Sequence, residues 1–131
     1  AEALGLGESL RVLPFVPLEQ LPALMAGAEV FGFPSRIEGF GFPPLEAMAC
    51  GTPVVSTTGG SLAEVLGEAA LTVEPGDVVG FAAALRRVLD EPALRESLRM
   101  AGLARAATFT WARTAEATVA AYRLAAAGAR T

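Results

Sequence analysis

The chain is expected to fold as an α/β domain, a Rossmann-like parallel sheet covered by helices. Three observations predict this. Short apolar runs alternate along the sequence with longer stretches of helical periodicity. The strand-like runs are too short and too apolar to be half-solvated, which places them in a sheet buried on both faces. With 131 residues, 53% of them apolar and 18% charged, the chain is large enough for one folded core and not obviously for two.

The elements follow in order. Arg11 to Val16 reads as a first strand, with Pro14 confining it to a sheet edge because proline cannot donate to a ladder. Leu18 to Gly27 has helical spacing through Leu21, Leu24, Met25 and on to Ala28. Glu29 to Phe33 is a short buried strand ending at Pro34-Ser35. A helix then runs from about Pro43 to Cys50, with Gly51 as its C′ residue and Pro53 stopping any continuation. Val54-Val55-Ser56 is the next strand and residues 57–60 form a tight turn. Ser61 is expected to cap a helix through Leu66, with Glu64 in the capping-box position.

Ala70 to Val73 is a fourth strand. Asp77 caps an amphipathic helix that carries Phe81, Ala84, Leu85, Val88 and Leu89 on one face. Glu91-Pro92 restarts the chain into a helix using Leu94, Leu98 and Ala101. A last helix after Thr110 is expected to turn Trp111, Ala115, Val119 and Tyr122 inward. Crossovers in such a sheet are right-handed, and ligands sit where the carboxyl ends of strands run into helix N-termini.

Composition narrows the function. The net charge is −4, all ten cations are Arg, and no basic cluster is present, which argues against nucleic-acid binding. The lone Cys50 cannot form an internal disulfide and reads as a buried residue at a helix end packed on the sheet. With no His and one Cys, the usual transition-metal ligands are missing, so no metal site is expected. No segment approaches the ~20 apolar residues that span a bilayer, and the start shows no signal-peptide pattern. A cytoplasmic location is therefore expected.

The stretch from Glu38 to Glu46, reading Glu-Gly-Phe-Gly-Phe-Pro-Pro-Leu-Glu, carries the chemistry. Carboxylates accept hydrogen bonds from vicinal sugar hydroxyls, and glycines let backbone approach a ligand closely. A helix N-terminus offers free N–H groups and partial positive charge to an anion. Hydroxyl acceptors on either side of an anion cradle suit a sugar at each end with phosphate between, the layout of a nucleotide sugar. On that reading Glu38 meets the hexose, the amides of Phe40, Gly41 and Phe42 meet the diphosphate, and Glu46 holds the ribose. Pro43 and Pro44 cannot donate, so the free amides must come from the residues just before them. Structural readings stand beside these: Glu46 stabilises a helix start by ~0.3–1 kcal/mol through the dipole alone, the glycines serve a turn, and the phenylalanines serve the core.

Residues Pro34-Ser35, Glu38 through Val55, and Gly59 through Val65 closely resemble the C-terminal domain of retaining, GT-B-fold glycosyltransferases of the group-1 (family 4) type. The likeness continues through Pro75-Gly76-Asp77 and Phe109-Thr110-Trp111 and covers nearly the whole chain. The resemblance implies an NDP-sugar donor site with no obligatory metal or other cofactor. It implies that Glu38 contacts the transferred sugar, as the residue closest to catalysis, and that Glu46 binds the ribose. It also implies that Ser35, Gly39 and the amides of Phe40 to Phe42 belong to the donor site, that Val16 lies near the base, and that Ser56 to Gly60 line the cleft floor. Retention on the front face, assisted by the leaving phosphate, requires no protein nucleophile.

Against the family pattern, residues 1–131 read as a single partial domain. Two opening strands and a basic Arg/Lys pair are missing, and Arg11 and Arg36 do not match that pair. The acceptor-binding N-terminal domain is also missing; the full-length enzyme is expected to be cytoplasmic and peripheral to the membrane. Gly32 stands where a β-branched residue is usual, which weakens its strand. Loss of the two strands bares the edge of strand 29–33, so either residues 11–16 pair with it or two copies dimerise through it. A non-enzymatic nucleotide-sugar or nucleotide sensor built on the same half-fold is the alternative class.

Overall fold

The computed structural model describes residues 4–128. Three short parallel strands, β1 (Phe31–Phe33), β2 (Val54–Thr57) and β3 (Leu71–Val73), form one sheet in the order β1-β2-β3. Phe31 pairs with Val54 and Phe33 with Ser56, while Val55 pairs with Leu71 and Thr57 with Val73. Among the described residues six α-helices accompany the sheet: α1 (Leu21–Ala26), α2 (Phe42–Ala49), α3 (Leu62–Leu66), α4 (Val78–Asp90), α5 (Pro92–Ala106) and α6 (Trp111–Gly128). Parallel neighbours need crossovers, and α2 and α3 supply them.

β2 is the buried spine. All four of its residues are buried, and alternation sends successive side chains to opposite faces. Val54 joins Met25, Leu45, Met48, Leu62 and Leu66 in the core on one side. Val55 joins Ala84, Val88 and Leu98 on the other. Gly51, with φ +77°, ends α2 in the left-handed conformation that turns the chain into β2. Asp77 caps α4 by accepting the Gly80 N–H at 2.8 Å, as its place before the amphipathic run requires. Cys50 is half-buried against the first core rather than fully enclosed, because it sits at the very end of α2.

Two expectations fail at the chain's ends. Residues 11–16 form no strand and do not pair with β1; Val12 and Phe15 are 78% and 80% exposed. Pro14 breaks the run with a bend, and a strand with no neighbour leaves its peptide groups to water. The sheet therefore has three strands, with the outer edge of β1 unpaired among the described residues. The segment from Leu18 opens with a 3₁₀ turn (Leu18–Gln20) before α1, since Pro22 suits only the first turn of an α-helix.

The second failure is α6. It forms where expected, but none of its residues is buried, and Trp111 and Tyr122 are 83% and 71% exposed. Its apolar positions have the right spacing but are not buried by any other element among the described residues; Trp111 and Thr114 only line an open cavity with Phe40, Phe42, Leu45 and Phe109. No helix among the described residues is long and apolar enough to cross a membrane.

Candidate functional site

The segment from Glu38 to Glu46 lies where β1 has ended and α2 begins, at the carboxyl end of the sheet. It is built as an extension of the sheet's own pairing. Ser56 Oγ donates to the Phe33 carbonyl at 3.2 Å, and Thr57 Oγ1 donates to the Ser35 carbonyl. Beyond β1, Glu38 forms a parallel bridge with Gly60, and the Ser61 N–H donates to the Glu38 carbonyl at 3.1 Å. The loop backbone is thus held on the segment that follows β2.

Close backbone approach explains two glycines there. A Cβ at Gly59 would strike the Arg36 carbonyl, and one at Gly60, whose φ is +67°, would strike the Glu38 carbonyl. Gly41 is constrained twice. It is the N-cap of α2 with φ +99°, and a Cβ on it would lie 2.6 Å from Leu62 Cδ2. Gly39 differs: its φ is not in the left-handed region, and a methyl there would meet no atom within 4 Å.

The expected site residues divide accordingly. Ser35 and Glu38 are brought together, with Ser35 Oγ donating to Glu38 Oε1 at 2.7 Å. That bond engages one carboxylate oxygen and leaves the second able to accept further hydrogen bonds. Glu46 is exposed on the first turn and a half of α2 and lines a cavity of about 280 Å³ with Leu18, Leu21, Pro22, Met25, Ala49 and Cys50. Val16 stands two residues before Leu18, so the segment after it shares a cavity with Glu46. Glu38 does not line that cavity.

Phe40 and Phe42 take different roles. Their rings lie 4.6 Å apart, but Phe40 packs edge-on against Phe109 at 5.9 Å and joins the core, whereas Phe42 is 56% exposed. The Arg105 guanidinium sits 5.0 Å over the Phe109 ring and donates to the carbonyls of Val65 and Glu64, tying α5 to the end of α3. The core reading of Phe40 therefore holds for its ring, and its backbone remains in the loop.

Ser61 is the residue the sequence misassigns. It makes no cap bond to α3, so the capping box with Glu64 is not formed. Its Oγ instead lies 3.1 Å from the Glu38 carbonyl and 2.9 Å from the Phe40 carbonyl, as donor to the loop. Ser56, expected on the cleft floor, is fully buried and used between strands, while Thr57 lines a cavity of about 350 Å³ with Pro34, Arg36 and Phe81. Among the described residues no group of three or more Cys, Asp or Glu is placed to hold a metal ion.

A family model described as glycosyl transferases group 1 matches residues 1–105. The chain belongs to that family. Among its relatives, the O-antigen chain mannosyltransferase B of Escherichia coli is 44% identical over 115 residues, which is 88% of this chain and 30% of the relative. An MMP alpha-(1->4)-mannosyltransferase of Mycolicibacterium hassiacum is 42% identical over 123 residues, 91% of this chain and 30% of that protein. In three dimensions the chain is similar to sucrose-phosphate synthase of Thermosynechococcus elongatus, with a TM-score of 0.84 and 32% identity, over 97% of this chain and 33% of that one. The architecture is that of one α/β half of a GT-B glycosyltransferase. This group 1 chain spans about a third of the length of the proteins it matches.

Proposed function

We propose that this chain is the donor half of a retaining glycosyltransferase. It binds an NDP-sugar and, with an acceptor domain supplied by further polypeptide, transfers a hexose to a glycan or lipid-linked acceptor. The observation that carries the reading is the Glu38–Glu46 segment in a group 1 chain, with the Glu38 carboxylate oriented by Ser35 and Glu46 exposed in its own cavity.

In this reading Glu38 receives hydroxyls of the transferred sugar through its free oxygen. Glu46 receives the ribose hydroxyls, and the base lies near Val16, two residues before the Leu18 that lines the Glu46 cavity. The diphosphate rests between them on loop amides at the positive end of α2, with no metal required. The two carboxylates bind the donor rather than divide acid and base roles between them. Chemistry at the anomeric carbon uses the departing phosphate to take the acceptor proton, so no side-chain nucleophile is assigned.

Calorimetry of the chain with UDP-, GDP- and ADP-sugars tests this. One of them is expected to bind measurably, and Glu46→Ala is expected to weaken it about tenfold or more, since a hydrogen bond to a charged group is worth ~1.5–3 kcal/mol. Unchanged affinity in Glu46→Ala would make the ribose assignment wrong. Binding of a free nucleotide as tightly as any nucleotide sugar would favour a sensor instead.

A further inference from the structure

We infer that Ser61 is a positioning residue for the donor loop: its hydroxyl and its N–H set the peptide planes that aim the Gly39 and Gly41 amides away from α3 and toward the ligand. The inference rests on the donor-site reading above and adds to it the part that holds the phosphate cradle in shape.

The geometry is direct. Ser61 reaches two alternate carbonyls of the loop: its N–H donates to Glu38 O at 3.1 Å, and its hydroxyl, with a single proton to give, donates to the nearer Phe40 O at 2.9 Å while its Oγ also lies 3.1 Å from Glu38 O. In a planar trans peptide the C=O of one residue and the N–H of the next point in opposite directions. Anchoring the Glu38 and Phe40 carbonyls on Ser61 therefore turns the Gly39 and Gly41 N–H groups to the opposite side of the loop. Neither N–H has a hydrogen-bond partner among the described residues. Both positions are glycine; Gly39 is exposed and faces open space, whereas Gly41 is buried with Leu62 against one side of its Cα. Pro43 and Pro44, without N–H groups, remove two of the donors that the start of α2 would otherwise offer. The cradle then depends on the amides just ahead of the prolines, and Ser61 governs two of them.

Ser61 does this at the expense of its own helix, since α3 has no side-chain cap. Its hydroxyl goes to the loop.

The test is an amide NMR titration of the chain with UDP, GDP and ADP, paired with affinity measurements on Ser61→Ala and Ser61→Thr. For the diphosphate that binds, the Gly39 and Gly41 amide resonances are expected to move further than those of Phe40. Ser61→Ala is expected to weaken the nucleoside diphosphate about tenfold while leaving the weak affinity for the phosphate-free nucleoside within twofold. Ser61→Thr, which keeps the hydroxyl, is expected to recover most of the loss. Equal diphosphate affinity in Ser61→Ala, or equal losses for diphosphate and nucleoside, would overturn the inference while leaving the donor site standing. No response to any of the three nucleotides would overturn the donor reading and the role of Ser61 with it.

Discussion

Replacing Gly41 with alanine separates backbone strain from ligand contact in the loop. Gly41 sits at φ +99° and ψ +50°, a left-handed conformation that costs an L-residue ~1–2 kcal/mol. Its new methyl would also stand 2.6 Å from Leu62 Cδ2. Leu62 is fully buried, so its side chain can yield only into neighbours that are themselves packed. Overpacking of this kind adds ~1 kcal/mol or more. The combined loss is about 2–3 kcal/mol, which for a chain of this size lowers Tm by roughly 8–12 °C. Urea and thermal unfolding followed by far-UV circular dichroism measure it. Gly39→Ala is the control, because its methyl enters open space at an ordinary φ, and its stability is expected to stay within ~0.5 kcal/mol of the parent. A Gly41→Ala protein as stable as the parent, or a Gly39→Ala protein that loses as much, would refute the reasoning.

Two further predictions follow from the sheet. At Gly32 in β1 a Cβ would make only ordinary contacts, 3.6 Å from Phe81 and Leu85, so Gly32→Ala is expected to stabilise the fold by ~0.5–1 kcal/mol, read as a higher urea midpoint at unchanged slope. The outer edge of β1, unpaired among the described residues, should join two copies of the isolated chain, and sedimentation equilibrium that finds only monomer at high concentration would refute that pairing.

Local chemistry made much of the fold and site legible. The strand runs at 31–33, 54–57 and 71–73, the Asp77 cap and the Gly51 terminus lie where periodicity and capping rules put them. The Glu38–Glu46 segment stood out as a candidate because two carboxylates, two glycines and a proline-marked helix start fall within nine residues. Other features were not. Residues 11–16 have a strand's composition, but a strand exists only through a neighbour to pair with. Trp111 and Tyr122 have a core's spacing, but spacing says which residues share a face and not whether anything lies against it.

Ser61 shows the same division at one atom. The pattern Ser-x-x-Glu predicts a capping box from nearest neighbours in sequence, whereas two carbonyls more than twenty residues away claim the hydroxyl. By itself the sequence determined the α/β class and the helix and strand order of the central chain, and it singled out the Glu38–Glu46 segment as the candidate site. Those depend on interactions spanning a few residues, which composition and period record. The tertiary structure alone decided which face of each apolar helix was covered, which strands found partners, and how Ser35, Thr57 and Ser61 hold the loop. Those depend on which distant groups meet, and that follows from the packing of the sheet as a whole.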